Sequence, residues 1–313
     1  MFSSNKNKPR NSQYRRKFFN EKRQPESKAN LPLRYSQNFI KSPELVQKVL
    51  KKSGLSSDYT IVEIGAGKGR ITDELLKNFV HVIALEIDPT LHSYLQKKYE
   101  KTKNISLVKE SFDQYKYYGF GKYAIVSNIP FTRTADVMKK ITDGERLADE
   151  IVLFIQREAA YKFLGKPFGP ETLASLILKT QWDGQIIHRC KYEDFSPQPK
   201  VSVVVMQLTK KKQVLPDQFK DFVAFIFSGW WKSIGHALKE FMPFDEGKRL
   251  AKTFKFALDD KISAVEFDAW VGIYQYILKT RRHDLAVCDG ALSRLERKQS
   301  QLQKRHRTNV RTR

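Results

Sequence analysis

Short apolar runs alternate with stretches of helical periodicity through the first half of the chain. The runs predict buried strands at residues 59–64, 80–86, 105–109, 123–127 and 150–155. The stretches between them predict helices at residues 71–79, 90–100 and 135–142, preceded by a helix that Ser42 caps and Pro43 begins. Strands that are apolar on both faces and alternate with helices are typical of a parallel sheet with helices on both sides.

The pattern becomes purely helical in the last third of the chain. Before that, a helix is predicted at residues 171–182, and two β-rich runs at residues 185–192 and 201–208 are expected to complete the sheet as an antiparallel pair. The lysines at residues 210–212 and Pro216 mark a boundary. Beyond it, helices are predicted at residues 219–227, 232–241 and 247–257, with a last one from Ser263. The predicted fold class is α/β: a Rossmann-like domain with a seven-stranded, mostly parallel sheet, followed by a small α-helical domain.

Basic charge is concentrated at the two ends of this 313-residue chain. Its formal net charge is +23. Residues 1–34 hold ten Lys and Arg against two acids, and residues 279–313 hold eleven against three, so the ends carry +16 of the total. Concentrated basic charge attracts polyanions by releasing their counterions, which predicts contact with RNA or DNA. The alternative is that both ends are solvated and only aid solubility.

The composition argues against several other classes of protein. A hydrophobic content of 41% is typical of a globular protein. Cys190 and Cys288 are far apart and lie in no metal-ligand pattern, so we expect neither a disulfide framework nor a metal site. No apolar run is as long as a membrane span, and the N-terminus lacks the apolar segment of a secretory signal. We therefore expect a cytoplasmic protein with no membrane partner.

A glycine-rich loop stands where the first buried strand gives way to a helix. Gly65, Ala66, Gly67 and Gly69 form a GxGxG pattern, whereas dinucleotide sites use GxGxxG. Glycines allow positive φ and a close approach of the backbone to a ligand. Glu63 precedes the first glycine by two residues, and a carboxylate there can accept hydrogen bonds from an amino group. The loop therefore favours the methionine end of S-adenosylmethionine.

Acidic residues follow at the ends of the next two strands. Glu86 and Ile87 end the second strand, where a carboxylate can accept both hydroxyls of a ribose. Glu110 and Ser111 follow the third strand, and Glu110 is expected to accept from the adenine N6 of the cofactor. Each feature alone is an ordinary strand end. Together with the loop they fall at successive strand C-termini, where open α/β sheets bind ligands, so we predict S-adenosylmethionine as the cofactor.

The tetrapeptide Asn128-Ile129-Pro130-Phe131 follows the fourth strand at the same edge. The N6 lone pair of adenine is delocalised into the ring, so a catalyst must accept its protons and favour a tetrahedral nitrogen. The side-chain oxygen of Asn128 and the carbonyl of Ile129 can be the two acceptors, since Pro130 biases Ile129 towards an extended conformation. Phe131 offers a face on which the base can stack. An ordinary Asn-x-Pro turn is the alternative; with the cofactor loop nearby, the four residues predict catalysis.

Six motifs in this order resemble the rRNA adenine N6-methyltransferases, which include the Erm macrolide-resistance enzymes and the small-subunit rRNA adenine dimethyltransferases. The motifs lie at residues 37–40, 63–69, 86–88, 128–131, 156–160 and 195–201. Within this group, the sequence at residues 36–40 and the Asn-Ile-Pro form are more similar to the Erm enzymes. Position 131 is Phe where Tyr is frequent, and position 110 is Glu where Asp is usual.

The resemblance implies a substrate, a phenotype and further site residues. The substrate is one adenine of 23S rRNA, in free or partly assembled large-subunit RNA, and its methylation confers resistance to macrolides, lincosamides and streptogramin B. Gln37, Asn38 and Phe39 match the motif that closes over the cofactor. Phe195 matches the aromatic that lines the target-base pocket opposite Phe131. The alternatives are a 16S rRNA adenine dimethyltransferase and a nucleic-acid-binding relative without turnover.

The charge pattern and the resemblance together predict that the chain is divided into four segments and that the protein is a monomer. A basic, disordered arm occupies residues 1–33, and the S-adenosylmethionine-binding catalytic domain occupies residues 34–209. A helical RNA-binding domain follows at residues 210–280, and a basic tail at residues 281–313. The ends and the helical domain are expected to contact RNA phosphates. The helical-domain residues expected to do so are Lys232, Lys239, Lys248, Arg249 and Lys252.

Overall fold

The computed structural model describes residues 38–116, 121–144 and 146–301. The predicted arm and Gln37 therefore lie outside the described residues. The strands are β1 (Phe39–Ile40), β2 (Thr60–Ile64), β3 (His81–Leu85), β4 (Ile105–Val108), β5 (Tyr123–Asn128), β6 (Glu150–Gln156), β7 (Trp182–Arg189), β8 (Phe195–Ser196) and β9 (Val203–Lys210). The helices are α1 (Pro43–Ser53), α2 (Arg70–Asn78), α3 (Pro89–Lys98), α4 (Thr134–Thr142), α5 (Arg157–Leu164), α6 (Leu173–Lys179), α7 (Asp217–Ser228), α8 (Ile234–Leu238), α9 (Phe244–Phe254), α10 (Phe267–Thr280) and α11 (Ala291–Gln301).

A seven-stranded sheet organises the first part of the chain, in the order β4-β3-β2-β5-β6-β9-β7. The five strands from β4 to β6 are parallel, and β9 runs antiparallel to both β6 and β7. The predicted α/β class and the antiparallel closing pair are confirmed. The chain leaves β2 towards β3 and β4 and then returns to the other side of β2 as β5. This reversal creates the crevice in which open α/β sheets bind ligands.

Both faces of the sheet are apolar because helices cover both. Ile61 and Val62, neighbours in β2, belong to hydrophobic clusters on opposite faces. The same alternation holds for Val152 and Leu153 in β6. Continuous apolar runs are what a doubly covered parallel sheet requires.

The helical part has its own core, formed by α7 to α10. Phe222 contacts Phe241 and Trp270 edge to face, with ring centroids 5.4 and 6.1 Å apart. Leu176 of α6 is buried in the same cluster, so this core continues onto a helix of the sheet-bearing part. Within the described ranges, no helix combines the length and apolarity needed to cross a membrane.

Residues 282–301 extend the helical part beyond the predicted start of a tail at residue 281. Leu285 and Cys288 are fully buried in its core. Asp221 of α7 accepts from the backbone N–H groups of Gly290 and Leu292, both at 3.0 Å, and so caps the start of α11. An acid at a helix N-terminus stabilises it, because it satisfies free N–H groups and the helix dipole.

Several predicted helices are shorter than their periodicity indicated. The helix expected at residues 171–182 ends at Lys179, and Trp182 instead opens β7 as a buried residue. The helix expected from Ser263 begins at Phe267, because residues 262–264 form a 3-10 turn. Helix α5 was not predicted. It follows β6 without a loop, and the side chain of its N-cap residue, Gln156, makes no capping hydrogen bond, so no capping signal marked its start.

Candidate active site

The predicted site residues meet at the carboxyl edge of the parallel strands. Strands β2 and β5 are neighbours at the point where the chain reverses direction across the sheet. The hydroxyl of Ser127 donates to the carbonyl of Ile64 at 2.6 Å and joins the two strand ends. Ser127 is fully buried and was missed from the sequence, although a polar residue ending an apolar run is a usable signal.

The glycine loop curves over the end of β3. The N–H groups of Gly65 and Ala66 both donate to the carbonyl of Leu85, at 2.9 and 3.0 Å. Gly65, Gly67 and Gly69 have φ values of 72°, 59° and 75°, a region that disfavours side chains. A Cβ at Gly69 would also overlap the hydroxyl of Tyr99. The predicted glycine cradle is therefore present, and its shape needs glycine.

Two residues from the end of α3 hold this loop in place. The hydroxyl of Tyr99 lies 3.0 Å from the carbonyl of Gly69 and 2.7 Å from Asp73 Oδ1. Lys98 Nζ lies 2.6 Å from the other oxygen of Asp73. Burial and the hydrogen bond to Asp73 raise the pKa of Tyr99, so the phenol keeps its proton and can donate. Neither residue was predicted, because the sequence does not show which helix end faces the loop.

Glu63 lies inside the fold beneath the glycine loop. It is 1% exposed and accepts a hydrogen bond from the Thr72 hydroxyl at 2.5 Å. Burial raises the pKa of Glu63 to about 8, and the nearby charge of Glu86 adds to the rise. Glu63 is therefore mostly protonated at neutral pH, and it supports the loop as a neutral group.

Glu86 joins the loop to the end of β3. One of its carboxylate oxygens accepts from the N–H of Gly67 and the other from the N–H of Asp88, both at 2.8 Å. The residue is 2% exposed. Each carboxylate oxygen keeps a second lone pair after such a bond, so the group can still accept from two hydroxyls. The neighbouring Ile87 is 52% exposed.

Glu110 and Ser111 follow β4 at the same edge, and both are half-buried. The N–H of Asp113 lies 3.4 Å from the Ser111 hydroxyl. Burial raises the pKa of Tyr115, and the charge of Glu110 adds to the rise. The Glu110 carboxylate is thus near the side chain of Tyr115, which packs against the core on one face of the sheet.

The side chain of Asn128 is oriented by the segment before β1. Its amide nitrogen donates to the main-chain carbonyl of Asn38 at 2.7 Å. Its oxygen, Oδ1, is buried and has no hydrogen-bond partner among the described residues. A buried acceptor without a partner is costly, and such groups concentrate where a ligand supplies the donor.

A two-stranded sheet brings the predicted closing segment to the loop and to Asn128. Strands β1 and β8 pair antiparallel, with Phe39 opposite Ser196 and Ile40 opposite Phe195. The ring of Phe39 covers Gly67, where an added Cβ would come within 3.0 Å of it. Lys68 Nζ lies 5.2 Å from the centre of the same ring.

The two predicted base-stacking residues differ in accessibility. Phe131 is half-buried at the start of a 3-10 turn, and it packs against the cluster that contains Phe195. Phe195 itself is completely buried, so its ring offers no face to a base in this structure. Ile129 is 2% exposed and anchors the tetrapeptide in the core on the other face of the sheet.

Arg133 joins the turn after Phe131 to the loop after β4. Its Nη2 lies 2.6 Å from Asp113, its Nε lies 3.1 Å from Asp136, and its guanidinium lies 4.9 Å from the centre of the Phe112 ring. No sequence pattern indicates the link between Arg133 and Asp113, because the two residues are 20 positions apart and in different loops.

The arrangement fits S-adenosylmethionine. Gly65, which has a positive φ and open space where a side chain would lie, can receive the amino-acid end, and the Glu86 carboxylate stands at the next strand end. The described His, Cys, Asp and Glu side chains form no group of three or more that could hold a metal ion. The site can therefore position a methyl donor and a planar amine next to an acceptor, Asn128.

Comparison with known proteins also indicates an rRNA adenine methyltransferase. The model of the family described as ribosomal RNA adenine dimethylase matches residues 28–279. An rRNA adenine N-6-methyltransferase of Escherichia coli is 26% identical over 249 residues, covering 80% of this chain and 97% of the relative. A ribosomal RNA small subunit methyltransferase A of Thermotoga neapolitana is 35% identical over 221 residues, covering 69% and 83%.

Two solved structures share the fold. The 23S rRNA methyltransferase ErmE superposes with a TM-score of 0.70 at 20% identity, covering 76% of this chain and 98% of that one. A dimethyladenosine transferase from Plasmodium falciparum superposes with a TM-score of 0.62 at 19% identity, covering 77% and 98%. At these identities the likeness concerns the fold alone.

Proposed function

The chain belongs to the ribosomal RNA adenine dimethylase family, and from this premise we propose that it methylates the N6 amine of one adenine in 23S rRNA. The methyl donor is S-adenosylmethionine. The observation that carries the proposal is the buried Oδ1 of Asn128, which has no hydrogen-bond partner within residues 38–116, 121–144 and 146–301 and lies at the reversal point of the sheet, beside the glycine loop. We further propose that the modification confers resistance to macrolides, lincosamides and streptogramin B.

The cofactor residues proposed are the glycine loop, the strand-end acids and the closing segment. S-adenosylmethionine, when bound, supplies an electrophilic methyl group on a sulfonium centre. Glu86 accepts the ribose hydroxyls, and Glu110 with Ser111 borders the adenine. Glu63 keeps the loop in shape, since it is buried and bonded to Thr72. The set proposed is Gln37, Asn38, Phe39, Glu63, Gly65, Ala66, Gly67, Gly69, Glu86, Ile87, Glu110, Ser111 and Asn128.

Asn128 and Ile129 make the target amine a nucleophile. Asn128 Oδ1 accepts one N6 proton and the Ile129 carbonyl accepts the other, which favours a tetrahedral nitrogen over the conjugated planar one. Held in this way, the nitrogen would direct its lone pair at the methyl group that S-adenosylmethionine would supply, and the proton given up on methylation would leave to solvent. Asn128 holds hydrogen bonds and does not become charged. Positioning of this kind can supply many orders of magnitude in rate.

Phe131 is the proposed stacking face for the target base, and Phe195 supports it from the core. This division follows from their exposure, because only Phe131 has accessible surface. Base–aromatic stacking is worth about 1–3 kcal/mol. It can offset part of the cost, a few kcal/mol, of taking an adenine out of its stack.

The choice of 23S rRNA rests on the form of the motifs around Gln37 and Asn128. The coverage of an Escherichia coli rRNA adenine N-6-methyltransferase over 97% of its length supports the adenine N6 chemistry and does not distinguish 23S from 16S rRNA. We also propose a monomer with a catalytic part at residues 34–209 and an RNA-binding helical part from residue 210. The packing of α11 on α7 favours extending that helical part to residue 301.

A second candidate is dimethylation of 16S rRNA. Sequence identity favours it, since small-subunit methyltransferases from three Thermotoga species are 31–35% identical to this chain. The two candidates differ in substrate and share the same site chemistry.

Transfer of a labelled methyl group to 23S and 16S transcripts separates the two. We expect labelling of the 23S transcript at one adenine, mapped by mass spectrometry, and raised macrolide resistance of expressing cells. Labelling of 16S alone would assign the second candidate. Binding of both transcripts without transfer would indicate a relative that binds nucleic acid and lacks turnover.

A further inference from the structure

Trp230 is a fully exposed tryptophan in the loop between α7 and α8. Its relative exposure is 101%, whereas Trp182 and Trp270 are at most 1% exposed and Trp231 is half-buried. Exposing a whole indole forgoes the large gain that its burial brings. A side chain kept out of the core in this way is a candidate for contact with a partner.

The loop that carries Trp230 is anchored on both sides. The indole N–H of Trp231 donates to the carbonyl of Ile226 at 2.9 Å, and its ring lies 6.0 Å from that of Phe225. A Cβ at Gly229 would overlap the Trp231 ring, so the approach requires glycine. On the other side, Ile234 N–H donates to the carbonyl of Asp260 at 2.9 Å. Trp230 is therefore presented by a fixed backbone, which lowers the entropy lost when it binds a partner.

Residues 228–233 alternate between outside and inside. Ser228, Trp230 and Lys232 are exposed, whereas Trp231 and Ser233 turn inward. Ser228 ends α7, and its hydroxyl donates to the carbonyl of Phe225 at 3.1 Å. The outer side of the loop thus presents an exposed indole and, two residues further along, an exposed ammonium group.

We propose that Trp230 stacks on an unpaired base of the rRNA substrate while Lys232 contacts an adjacent phosphate. This inference rests on the proposed function for the identity of the RNA. A single aromatic ring between a serine and a lysine matches one nucleotide, since stacking needs one π-face and the phosphate needs one cation. A protein partner would need a wider patch, about 800 Å² on each side, than one ring between two polar residues offers. The contact is separate from the catalytic Asn128 and Phe131, so it orients the RNA and takes no part in transfer.

Tryptophan fluorescence tests the stacking directly, with a 23S rRNA transcript containing the target region as the probe. Two of the four tryptophans are buried, so quenching on RNA addition should come chiefly from Trp230. We expect Trp230→Phe to remove most of the quenching while keeping affinity within about twofold. Trp230→Ala should weaken binding about tenfold, and Lys232→Gln should lower the salt slope of binding by about one. Phe244→Ala, which removes another exposed aromatic of the helical part, is the matched control and should change neither.

Quenching and affinity that survive in Trp230→Ala would overturn the inference. So would a variant that binds RNA normally but loses affinity for a ribosomal protein, which would assign the loop to a protein partner. Methyl transfer measured on the same samples keeps this result apart from the proposed function. If the wild type transfers methyl groups and Trp230→Ala shows wild-type quenching and RNA affinity, the stacking inference is overturned and the proposed function is not. If the 23S transcript is not methylated, the same titrations are made with the 16S transcript. If the protein binds neither transcript, the inference is overturned.

Discussion

The amide nitrogen of Asn128 lies 2.7 Å from the carbonyl oxygen of Asn38, a residue 90 positions earlier in the chain. This bond uses the donor end of the carboxamide and leaves its oxygen without a hydrogen-bond partner in the part of the chain that the structure describes. It also makes the orientation of the proposed catalytic side chain depend on the segment that covers the glycine loop. The segment that places the Phe39 ring over Gly67 therefore also orients the Asn128 side chain.

Asn128→Ala is expected to lower methyl transfer by about 10²–10³-fold, the loss typical of removing one preorganised hydrogen-bonding group. Affinity for RNA should stay within about twofold, because the phosphate contacts are proposed for the basic ends and the helical part. Single-turnover transfer and filter binding measure the two quantities. Asn104→Ala is the matched control: it removes an amide that donates to the carbonyl of Leu76 at 3.1 Å and should lower the melting temperature without a specific loss of transfer. Near-wild-type transfer by Asn128→Ala would remove the mechanism.

Glu63 should make stability fall as pH rises. Its pKa is about 8 in the folded protein, against an ordinary value of 4.5, so the folded state binds an extra proton between these values. The stabilising effect of that proton is complete below about pH 4.5 and is lost as pH rises through about 8. Glu63→Gln keeps an acceptor for the Thr72 hydroxyl and cannot titrate. Melting temperatures from pH 5 to 9 should therefore fall more steeply for the wild type than for Glu63→Gln; parallel curves would contradict the buried, protonated state.

Arg133 is expected to affect the rate of methyl transfer more than the free energy of unfolding. Its ion pair with Asp113 is about one third exposed, so its removal should cost no more than about 1 kcal/mol. Arg133→Gln frees the turn that carries Phe131 and should lower kcat on the order of tenfold, with a smaller change in KM for the methyl donor. Arg133→Lys keeps the charge without the fork that reaches two acids, and should recover part of the loss.

The control for loss of one cation is removal of Arg157. Its ion pair with Glu158 is exposed and lies in another helix. Arg157→Gln should leave kcat within about twofold. If Arg133→Gln changes the salt slope of RNA binding instead of kcat, the residue contacts phosphate and does not position the turn.

Two truncations separate the structural and electrostatic roles of the C-terminal residues. Deleting residues 284–313 removes buried Leu285 and Cys288 together with α11, and should lower the melting temperature by several degrees. Deleting residues 302–313 removes five basic residues and no acid. That truncation should leave the melting temperature unchanged and reduce the salt slope of RNA binding by at most about four. An unchanged slope would favour the alternative that these residues only aid solubility.

The fold was largely predictable because its signals are local. Apolar runs marked β2 to β6, and helical periodicity marked most of the helices between them. The elements that the sequence pattern did not predict were β1, β8, α5 and α11. Strands β1 and β8 have two residues each, which is too short for a period, and α11 is identified as part of the fold only by its contacts with Asp221.

Parts of the site were predictable for a topological reason. The carboxyl ends of parallel strands share one edge, so the glycine loop, Glu86 and Asn128 had to be neighbours once the strands were recognised. No such rule brings Tyr99 to Gly69 or Arg133 to Asp113. Those contacts depend on how helices and loops rotate against the sheet.

The order of most elements, the chemistry available at each strand end and the resemblance to a family follow from the sequence alone. Packing sets the state of those groups: a Glu63 with a raised pKa, a Glu86 bound to two backbone N–H groups, a buried Phe195 and an Asn128 whose side-chain oxygen has no partner among the described residues. The reason is that periodicity and residue type are properties of neighbouring positions. Burial, hydrogen bonding and pKa depend on residues far away in the chain, and only packing brings those together.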